Sequence, residues 1–391
     1  MKILSVSAID YSTPSAAASR HLALFDGLAG SGDELAFLVP GRTTRPNLEV
    51  LEEHGQTVGA ARTSPRSWGR RMSALEPWWG VERRVQESEI DVVVCWDRDP
   101  AVLGRAIGLA RSLGVPVVHE LTEYPDVVAP RPAILGTMHD AWFRRIGIRK
   151  LSGAMVISEP LASYVRSHAG GRMPLIIVPP VIDASRFASD LPESARAPSF
   201  RVGYFGSLSR RKDGIDWLLS AVERANFLLS RNRIGIEIGL WGSGPDKSWL
   251  LDEIHRRGIS DSVHLSPPIP SAEVVSAMQS MDALILPRPV SRQATGGLST
   301  KLAEYLATGR PVIATATGDT GRFILDGKTA LVVPPNDVTA LANALCSLAT
   351  DPLLAARLGN EGRELAMREF NARKHGLRIH DWLETLVEVG K

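Results

Sequence analysis

Residues 296–315 read GGLSTKLAEYLATGRPVIAT, and this stretch decides the fold. Two glycines open it, an amphipathic run carrying Lys301 and Glu304 follows, and an apolar strand begins at Pro311. A glycine turn lets the backbone approach a ligand closely, and the unpaired N–H groups of a helix start attract anions. The stretch therefore predicts a loop, a helix and a strand of an α/β sheet, with an anion site at the start of the helix.

The composition describes an ordinary globular protein with more than one core. A chain of 391 residues exceeds what a single hydrophobic core usually serves, so two domains are expected. Apolar residues make up 44% and charged residues 23% of the chain. The net charge of +2 is too close to balance to indicate a nucleic-acid-binding protein.

The N-terminus and the cysteines indicate a reducing compartment. MKILSVSAID has too short an apolar run for a signal peptide and predicts a first strand. No apolar run approaches the length of about 18 residues that a transmembrane helix needs. Cys95 and Cys346 each lie in an apolar run, which favours two buried thiols over a disulfide or a metal site. We expect a cytoplasmic protein, with peripheral contact to the inner membrane face as an option considered below.

Short β-branched runs alternate with helical patterns along the chain, which predicts two doubly wound parallel sheets. The Ala-, Ser- and Pro-rich segment 188–199 predicts a linker between them. The predicted organisation is an N-terminal domain over 1–187, the linker, a C-terminal domain over 200–368, and a helix over 369–391 that packs back on the N-terminal domain. The predicted strands are 3–6, 35–39, 92–95, 115–119, 154–157, 175–178, 200–205, 234–240, 262–265, 283–286, 311–314 and 330–333.

The segment VGYFGSLSRRKDG, residues 202–214, ends a strand at Gly206 and places Lys212 just before the next helix. A lysine after such a turn is well placed to neutralise phosphate as a mobile point charge. The alternative is a solvated basic loop that includes Arg210 and Arg211.

The segment LWGSGPDKSWL, residues 240–250, carries Gly242 and Gly244 after a strand, and Pro245 suits the first turn of a helix. Such a turn lets the backbone approach a ligand closely. Many strand–helix units contain the same turn only because the packing of the helix on the strand requires it. It lacks the third glycine of the dinucleotide fingerprint, which argues against NAD or FAD.

The stretch at 296–304 has the layout of a sugar-nucleotide site. The amides of Gly296 and Gly297 and the helix start would bind a diphosphate, and Glu304 would reach the ribose hydroxyl groups. The alternative for Glu304 is an exposed helix acid paired with Lys301.

Five sequence blocks give the second half a clear resemblance to a known family. In order they are FGSLSRRKDGIDWLLSAV, LWGSGPDKSWL, SVHLSPPIPSAEVVSAMQSMDALILP, STKLAEYLATGRPVIAT and DGKTALVVPPNDVTALANAL. This half resembles the nucleotide-sugar-binding domain of the GT-B glycosyltransferases, specifically retaining family 4, and the first half is similar more loosely. The resemblance implies an α/β fold with two Rossmann-like domains facing across a cleft.

The resemblance assigns the family's phosphate-binding lysine to Lys212 and its ribose glutamate to Glu304. Two positions depart from the family pattern: Ser207 stands where many members have arginine, and Gly296 stands where the first glutamate of E-x7-E contacts the donor sugar. The loop with Pro267 and Pro268 corresponds to the shelf for the nucleotide base. The implied donor-binding residues are Gly206, Ser207, Arg211, Lys212, Gly242, Gly244, Pro267, Pro268, Gly296, Gly297, Leu298, Ser299, Thr300 and Glu304.

The first half is expected to hold the acceptor. The loop STPSAAASRH, residues 12–21, replaces the family's glycines with alanines and offers Ala17, Ser19 and Arg20 near an anion, or else a helix start with a solvated arginine. The strand end PVVHELTEYPD, residues 116–126, gathers four polar candidates for acceptor binding or proton transfer: His119, Glu120, Glu123 and Tyr124. The catalytic candidates are Lys212, Glu123 and His119, and His119 has the alternative of a structural strand histidine.

Residues 62–84 interleave tryptophan and arginine in RTSPRSWGRRMSALEPWWGVERR. Such a segment suits an anionic membrane surface, where a lipid-linked acceptor would lie. The alternative is a helix that buries its tryptophans in the core and solvates its arginines.

The resemblance implies a retaining glycosyltransferase that moves a sugar from a nucleotide-diphosphate sugar to a hydroxyl group of a glycan or lipid-linked acceptor in cell-surface polysaccharide or glycolipid synthesis. No cofactor or metal is expected, because the donor motifs hold no acidic D-x-D pair; Asp97 and Asp99 have that spacing but lie in the acceptor half. Two alternatives remain: a sugar-nucleotide epimerase or hydrolase, and a non-catalytic sugar-nucleotide-binding subunit of a transferase complex.

Overall fold

The computed structural model describes residues 1–12, 15–61, 85, 89–97, 99–125, 127, 133–170, 173–188, 199–232 and 234–390. The chain forms two compact units: unit 1 comprises Met1–Val181 and Ala372–Lys391, and unit 2 comprises Ile182–Asn371. The predicted tryptophan- and arginine-rich segment 62–84 lies outside the described residues, as does most of the predicted linker.

Unit 1 is built on a parallel sheet of seven described strands in the order β3-β2-β1-β4-β5-β6-β7. Side chains alternate between its two faces: Val92 and Val94 join one apolar cluster, while Val93 and Cys95 join the other. A β-branched run buried on both faces is what a helix-covered parallel sheet requires. The strands are β1 (Lys2–Val6), β2 (Glu34–Arg42), β3 (Gln56–Ala61), β4 (Val92–Cys95), β5 (Val117–Leu121), β6 (Gly153–Val156) and β7 (Leu175–Ile177).

Polar caps begin most helices of unit 1. The side chains of Ser15, Thr44, Asp99 and Ser158 each accept a hydrogen bond from a backbone N–H in the first turn of the helix that follows. The α-helices are α1 (Ala16–Ala29), α2 (Arg45–Glu52), α3 (Pro100–Leu113), α4 (Ala133–Trp142) and α5 (Glu159–Ala169). Shorter helical turns follow at Phe143–Gly147 (π) and Ile148–Lys150 (3-10).

Unit 2 repeats this plan with six described strands in the order β10-β9-β8-β11-β12-β13, again all parallel. The strands are β8 (Ser199–Phe205), β9 (Gly235–Trp241), β10 (Val263–Ser266), β11 (Ala283–Leu286), β12 (Val312–Thr315) and β13 (Leu331–Val333). The helices are α6 (Arg210–Asp213), α7 (Ile215–Leu229), α8 (Lys247–Arg257), α9 (Ser271–Gln279), α10 (Arg292–Thr295), α11 (Thr300–Ala307), α12 (Thr320–Phe323), α13 (Val338–Thr350) and α14 (Pro352–Glu369). Short 3-10 turns lie at Ala184–Phe187 and Ser230–Asn232.

The strand order confirms the predicted fold class of two doubly wound parallel sheets. In each sheet the order reverses at one place, between β1 and β4 in unit 1 and between β8 and β11 in unit 2. Ligands of open parallel sheets bind outside the carboxyl ends of the strands at such a reversal. The ends of β8 and β11 are therefore the expected ligand-binding edge of unit 2.

The sequence did not predict two elements of unit 1 or the one-turn helix that precedes the glycine pair of unit 2. Helix α2 and edge strand β3 were not predicted. In unit 2, α11 begins at Thr300, within the expected start at 298–300, because Ser299 has an extended backbone with φ −71° and ψ 129°. The one-turn helix α10 directly precedes the predicted loop, and Gly296 is its C-cap.

The C-terminal helix α15 (Ala372–Gly390) packs on α1 of unit 1. The two helices approach so closely that a Cβ added to Gly376 would overlap the backbone of Gly27. Glycine at this crossing lets the helix backbones touch, which brings Ile379 and Leu383 into the unit 1 core.

Within the described ranges, no single helix has the length and apolar character to cross a membrane. The consecutive helices α13 and α14 have that length and composition only when counted together, and they are bent by 104° to each other.

We predict opposite effects for two glycine-to-alanine changes in helices of unit 1. Gly376→Ala should destabilise the protein by about 1–3 kcal/mol, because the new methyl group overlaps backbone that has to move. Gly108→Ala is the control: nothing lies within 4 Å of its Cβ position, so the better helix former should stabilise α3 by about 0.5–1 kcal/mol. Calorimetric unfolding measures both, and equal shifts would contradict the described packing of α15 on α1.

Candidate functional site

A tyrosine on α11 fixes this helix to the end of β8. The hydroxyl of Tyr305 accepts a hydrogen bond from the N–H of Phe205 at 2.7 Å and donates one to the carbonyl oxygen of the same residue at 3.0 Å. Both residues are buried. Because β8 lies at the strand reversal, this pair of bonds places the start of α11 beside the ligand-binding edge of the sheet.

The two glycine turns that follow β8 and β9 are joined by backbone hydrogen bonds. Gly206 N–H donates to the oxygen of Trp241 and Leu208 N–H donates to the oxygen of Ser243, both at 2.9 Å. A Cβ on Gly242, which has φ 144°, would overlap the oxygen of Gly206. A Cβ on Gly244 would likewise overlap the backbone of Leu208. Packing of one turn on the other therefore explains Gly242 and Gly244.

All three residues of the basic segment 210–212 are exposed, and Arg210 is anchored by neighbouring side chains. Ser209 caps the one-turn helix α6. The guanidinium of Arg210 pairs with Asp246 at 3.1 Å and lies 4.3 Å from the ring centroid of Trp249. Arg211 and Lys212 are exposed. Arg211 and Lys212 both fit the predicted mobile charge in exposure, and Lys212 is the one whose charge acts on Lys301 at the end of β8.

The glycine pair supplies fewer backbone donors than its sequence indicates. The N–H of Gly296 donates to the oxygen of Arg292, since Gly296 caps α10. Ser299 is the N-cap of α11, and its side chain makes no capping hydrogen bond. The uncapped amides at the start of α11 remain suited to an anion, whereas the predicted use of the Gly296 amide is corrected.

Glu304 and Lys301 do not form the ion pair considered from the sequence. Glu304 is half-buried, and burial raises the pKa of its carboxyl above the ordinary value, although Arg186 and Lys301 act in the opposite direction. Lys301 instead pairs with Asp213, with 3.2 Å between Nζ and Oδ1. A raised carboxyl pKa in a ligand-binding edge is typical of a functional group.

The remaining predicted donor-side residues of unit 2 differ in their exposure. The oxygen of Ser207 accepts a hydrogen bond from the Tyr204 hydroxyl at 2.8 Å. Leu298 is buried, and Ser299 and Thr300 are half-buried. Pro267 and Pro268 are exposed directly after edge strand β10.

In unit 1, two of the candidates are held in a buried network. Glu120 receives a hydrogen bond from Arg20 Nε at 2.9 Å and lies 2.9 Å from His21 Nε2. The Arg20 guanidinium also donates to the oxygens of Val178 and Pro179. The charges of Arg20 and His21 lower the pKa of Glu120 to about 2, against the opposing effect of burial. The predicted roles of Glu120 in acceptor binding and of Arg20 in anion binding are therefore corrected, because both side chains are saturated inside the unit.

The other acceptor candidates differ in exposure. His119 is buried with Nδ1 3.0 Å from the oxygen of Cys95, which matches the structural alternative. Glu123 and Tyr124 are half-buried beyond the end of β5, and Tyr124 makes an edge-to-face contact with Tyr164. On α1, Ala17 is exposed and Ser19 half-buried.

The D-x-D spacing in unit 1 has structural uses. Asp97 accepts hydrogen bonds from the N–H groups of Ala8 and Asp99, and Asp99 caps α3 through Ala101. These carboxylates hold the turns that follow β1 and β4.

Sequence reasoning missed the polar side chains that organise the edge of unit 2. Tyr305, Tyr204 and Asp213 lie inside sequence segments quoted above, but the helical and strand periodicities count the tyrosines as core and the aspartate as a loop residue. One sequence signal could have indicated these residues: each is polar at a position that the apolar periodicity predicts to be buried. Asp213 is 1% exposed.

Two doubly wound units, with an uncapped helix start, an exposed lysine and a half-buried glutamate at the strand reversal of the second, define a class of nucleotide-binding α/β proteins. Comparison with known proteins narrows the class. A model described as "Glycosyl transferases group 1" matches residues 199–351, and one described as "Glycosyltransferase Family 4" matches residues 18–186. The chain belongs to the group 1, family 4 glycosyltransferases of GT-B fold, and it is an enzyme of the glycosyltransferase class.

Individual relatives agree with this membership. The chain is 28% identical over 86% of its length to a GDP-mannose-dependent alpha-(1-6)-phosphatidylinositol monomannoside mannosyltransferase of Mycolicibacterium smegmatis, covering 88% of that protein. It is 33% identical over 52% of its length to a D-inositol 3-phosphate glycosyltransferase of Corynebacterium urealyticum, covering 44% of that protein. Among solved structures, Anabaena Alr3699/HepE in complex with UDP has a TM-score of 0.73 at 16% identity, covering 98% of this chain and 100% of that one. Sucrose-phosphate synthase of Thermosynechococcus elongatus has a TM-score of 0.72 at 18% identity, covering 99% of each chain.

The buried network predicts a pH-dependent loss of stability in Glu120→Gln. A carboxyl whose pKa falls from 4.5 unfolded to about 2 folded contributes about 3 kcal/mol above pH 4.5, and this contribution is lost as the pH falls toward 2. Urea unfolding should show the variant destabilised by about that amount at pH 7, with the difference shrinking below pH 4.5.

The matched control for this change is Glu49→Gln, which removes an exposed ion pair with Arg45 on α2 and should change stability far less. A Glu120→Gln variant as stable as wild type at pH 7 would contradict the network.

Proposed function

We propose that this protein transfers a sugar, with retention at the anomeric carbon and without a metal ion, from a nucleotide-diphosphate sugar to a hydroxyl group of a glycan or lipid-linked acceptor. The observation that carries the proposal is the uncapped start of α11 beside the end of β8, together with the exposed Lys212 that follows this strand and the half-buried Glu304 on α11 itself. Backbone donors, a cation and a carboxylate in this order suit a diphosphate followed by a ribose.

The leaving group sets the electrostatic demand on the site. Departure of a nucleoside diphosphate places negative charge on the phosphate oxygens in the transition state. Fixed N–H donors at the start of α11 and the ammonium of Lys212 would stabilise that charge, and such preorganised groups give large rate effects. Glu304 would accept hydrogen bonds from the ribose, so its charged form is the one that binds.

Relatives support the choice of donors and acceptors to assay. One relative is named for GDP-mannose and a phosphatidylinositol monomannoside, another for D-inositol 3-phosphate, and a solved structure of the same fold contains UDP. We therefore propose GDP- and UDP-sugars as the first donors, and inositol-containing lipids or glycans as the first acceptors. Peripheral membrane contact through residues 62–84 stays a prediction outside the described residues.

Labelled donors incubated with and without membrane extract separate the candidate functions. Nucleotide release that requires the extract supports transfer to an acceptor. Release without any acceptor would indicate an epimerase or hydrolase, and binding without turnover would indicate a non-catalytic subunit. The anomeric configuration of the product, determined by NMR, tests retention.

Two substitutions test the donor site directly. Lys212→Ala and Glu304→Ala should each lower turnover on the order of 10²-fold, because each removes a charge-stabilising or positioning group. The control is Lys328→Ala, an exposed lysine in the turn that precedes β13, at the opposite edge of the same sheet. Steady-state kinetics with the active donor measure all three, and near-wild-type rates in both site variants would refute the assignment.

The raised pKa of Glu304 predicts how donor affinity depends on pH. Protonation removes the carboxylate that the ribose hydroxyls bind, so affinity should fall as the pH drops through this raised pKa, at a higher pH than for an ordinary glutamate. Calorimetric titration with a nucleotide sugar suits the test, because both of its phosphates stay ionised from pH 8 to 5. Glu304→Gln should bind more weakly at pH 8 and show a flatter profile; an identical profile in both proteins would contradict the role.

A further inference from the structure

The ammonium group of Lys301 lies directly against the turn that ends β8. Lys301 belongs to the first turn of α11, and a Cβ added to Gly206 would overlap both its Nζ and its Cε atoms. Glycine at position 206 therefore makes room for this ammonium. Since β8 lies at the strand reversal, the charge sits where the sheet opens to ligands.

Two side chains hold Lys301 in this place. Its Nζ donates to the hydroxyl of Tyr204 at 3.0 Å and to Oδ1 of Asp213 at 3.2 Å. The Tyr204 hydroxyl gives its own hydrogen to the oxygen of Ser207, so its lone pairs face the ammonium. An ammonium carries three N–H donors, and these two acceptors leave one donor for a ligand among the groups that the structure describes.

The charges around Lys301 favour an anionic ligand. Burial lowers the pKa of Lys301, and the positive charges of Lys212 and Arg288 lower it further, whereas Asp213 favours the charged form. Asp213 is 1% exposed, and its Oδ2 has no hydrogen-bond partner. A phosphate group arriving here would relieve the repulsion among the three cations without disturbing the Lys301–Asp213 pair.

We propose that Lys301 is a second cation of the donor-diphosphate site and supplies the fixed charge that the serine at position 207 does not. Tyr204 and Asp213 are its positioning residues. Lys212 is exposed and has to be ordered by the ligand, whereas Lys301 is held in place before the ligand arrives, so it costs no reorganisation. The inference rests on the proposed function, because it requires the donor to bind at this edge of unit 2.

Calorimetric titrations with a nucleoside, its monophosphate and its diphosphate test the inference, using the guanosine and uridine series. Lys301→Met keeps the length of the side chain and removes its charge. We expect this variant to lose about 10- to 100-fold in affinity for the diphosphate while keeping its affinity for the nucleoside, as loss of a charge-assisted hydrogen bond predicts. Lys328→Met at the opposite sheet edge is the matched control and should bind like wild type.

A second variant separates binding from folding. Lys301→Met alone leaves the Asp213 carboxylate buried without its partner, so the double variant Lys301→Met/Asp213→Asn removes both charges of the pair. It should recover thermal stability but not diphosphate affinity. Recovery of diphosphate affinity in the double variant would show that Lys301 is only structural and would overturn the inference.

Failure of the proposed role of Lys301 and failure of the proposed donor site give different results. If wild type binds a diphosphate and both Lys301 variants bind it equally well, only the role of Lys301 is wrong. If wild type binds neither nucleotide series, the proposed donor site is wrong and the inference falls with it.

Discussion

The paired hydrogen bonds between the Tyr305 hydroxyl and the backbone of Phe205 are the constraint on which the site depends. They fix the start of α11 beside the end of β8 in a buried position, where water does not compete for them. The uncapped amides, Glu304 and Lys301 are all carried by this helix, while Gly206 and Lys212 follow the strand. One buried tyrosine thus sets the distance between the two groups of residues that a diphosphate would bridge.

The two units share a strand order, but their buried charges differ in how completely they are compensated. In unit 1, the carboxylate of Glu120 on β5, one strand beyond the reversal, is bound by Arg20 and His21 of α1. At the reversal of unit 2, the charges are only partly compensated: among the residues that the structure describes, Lys301 has two acceptors for its three N–H groups, and burial raises the pKa of Glu304. Buried charges that are fully paired stabilise the fold. Buried charges that are only partly paired leave more favourable interaction energy for a charged ligand.

The sequence predicted the fold class because strand–helix alternation repeats over the whole chain. All twelve predicted strands appear with ends shifted by at most two residues, except that β2 ends three residues later than predicted, at Arg42. It missed β3 and α2, whose segment 45–61 is polar at many positions and carries little periodicity. It also predicted the glycine loop and the helix α11 that follow β11. The use of each polar group was not predictable, since contacts such as Arg20 with Glu120 or Lys301 with Tyr204 join residues about one hundred positions apart.

The central claim is that a diphosphate binds at the start of α11, and a crystal structure with a nucleotide sugar tests it most directly. The account predicts phosphate oxygens within hydrogen-bonding distance of the amides that follow Gly297 and of Lys301 or Lys212, with the ribose hydroxyls at Glu304. A diphosphate bound elsewhere, with these amides in contact with solvent alone, would contradict it.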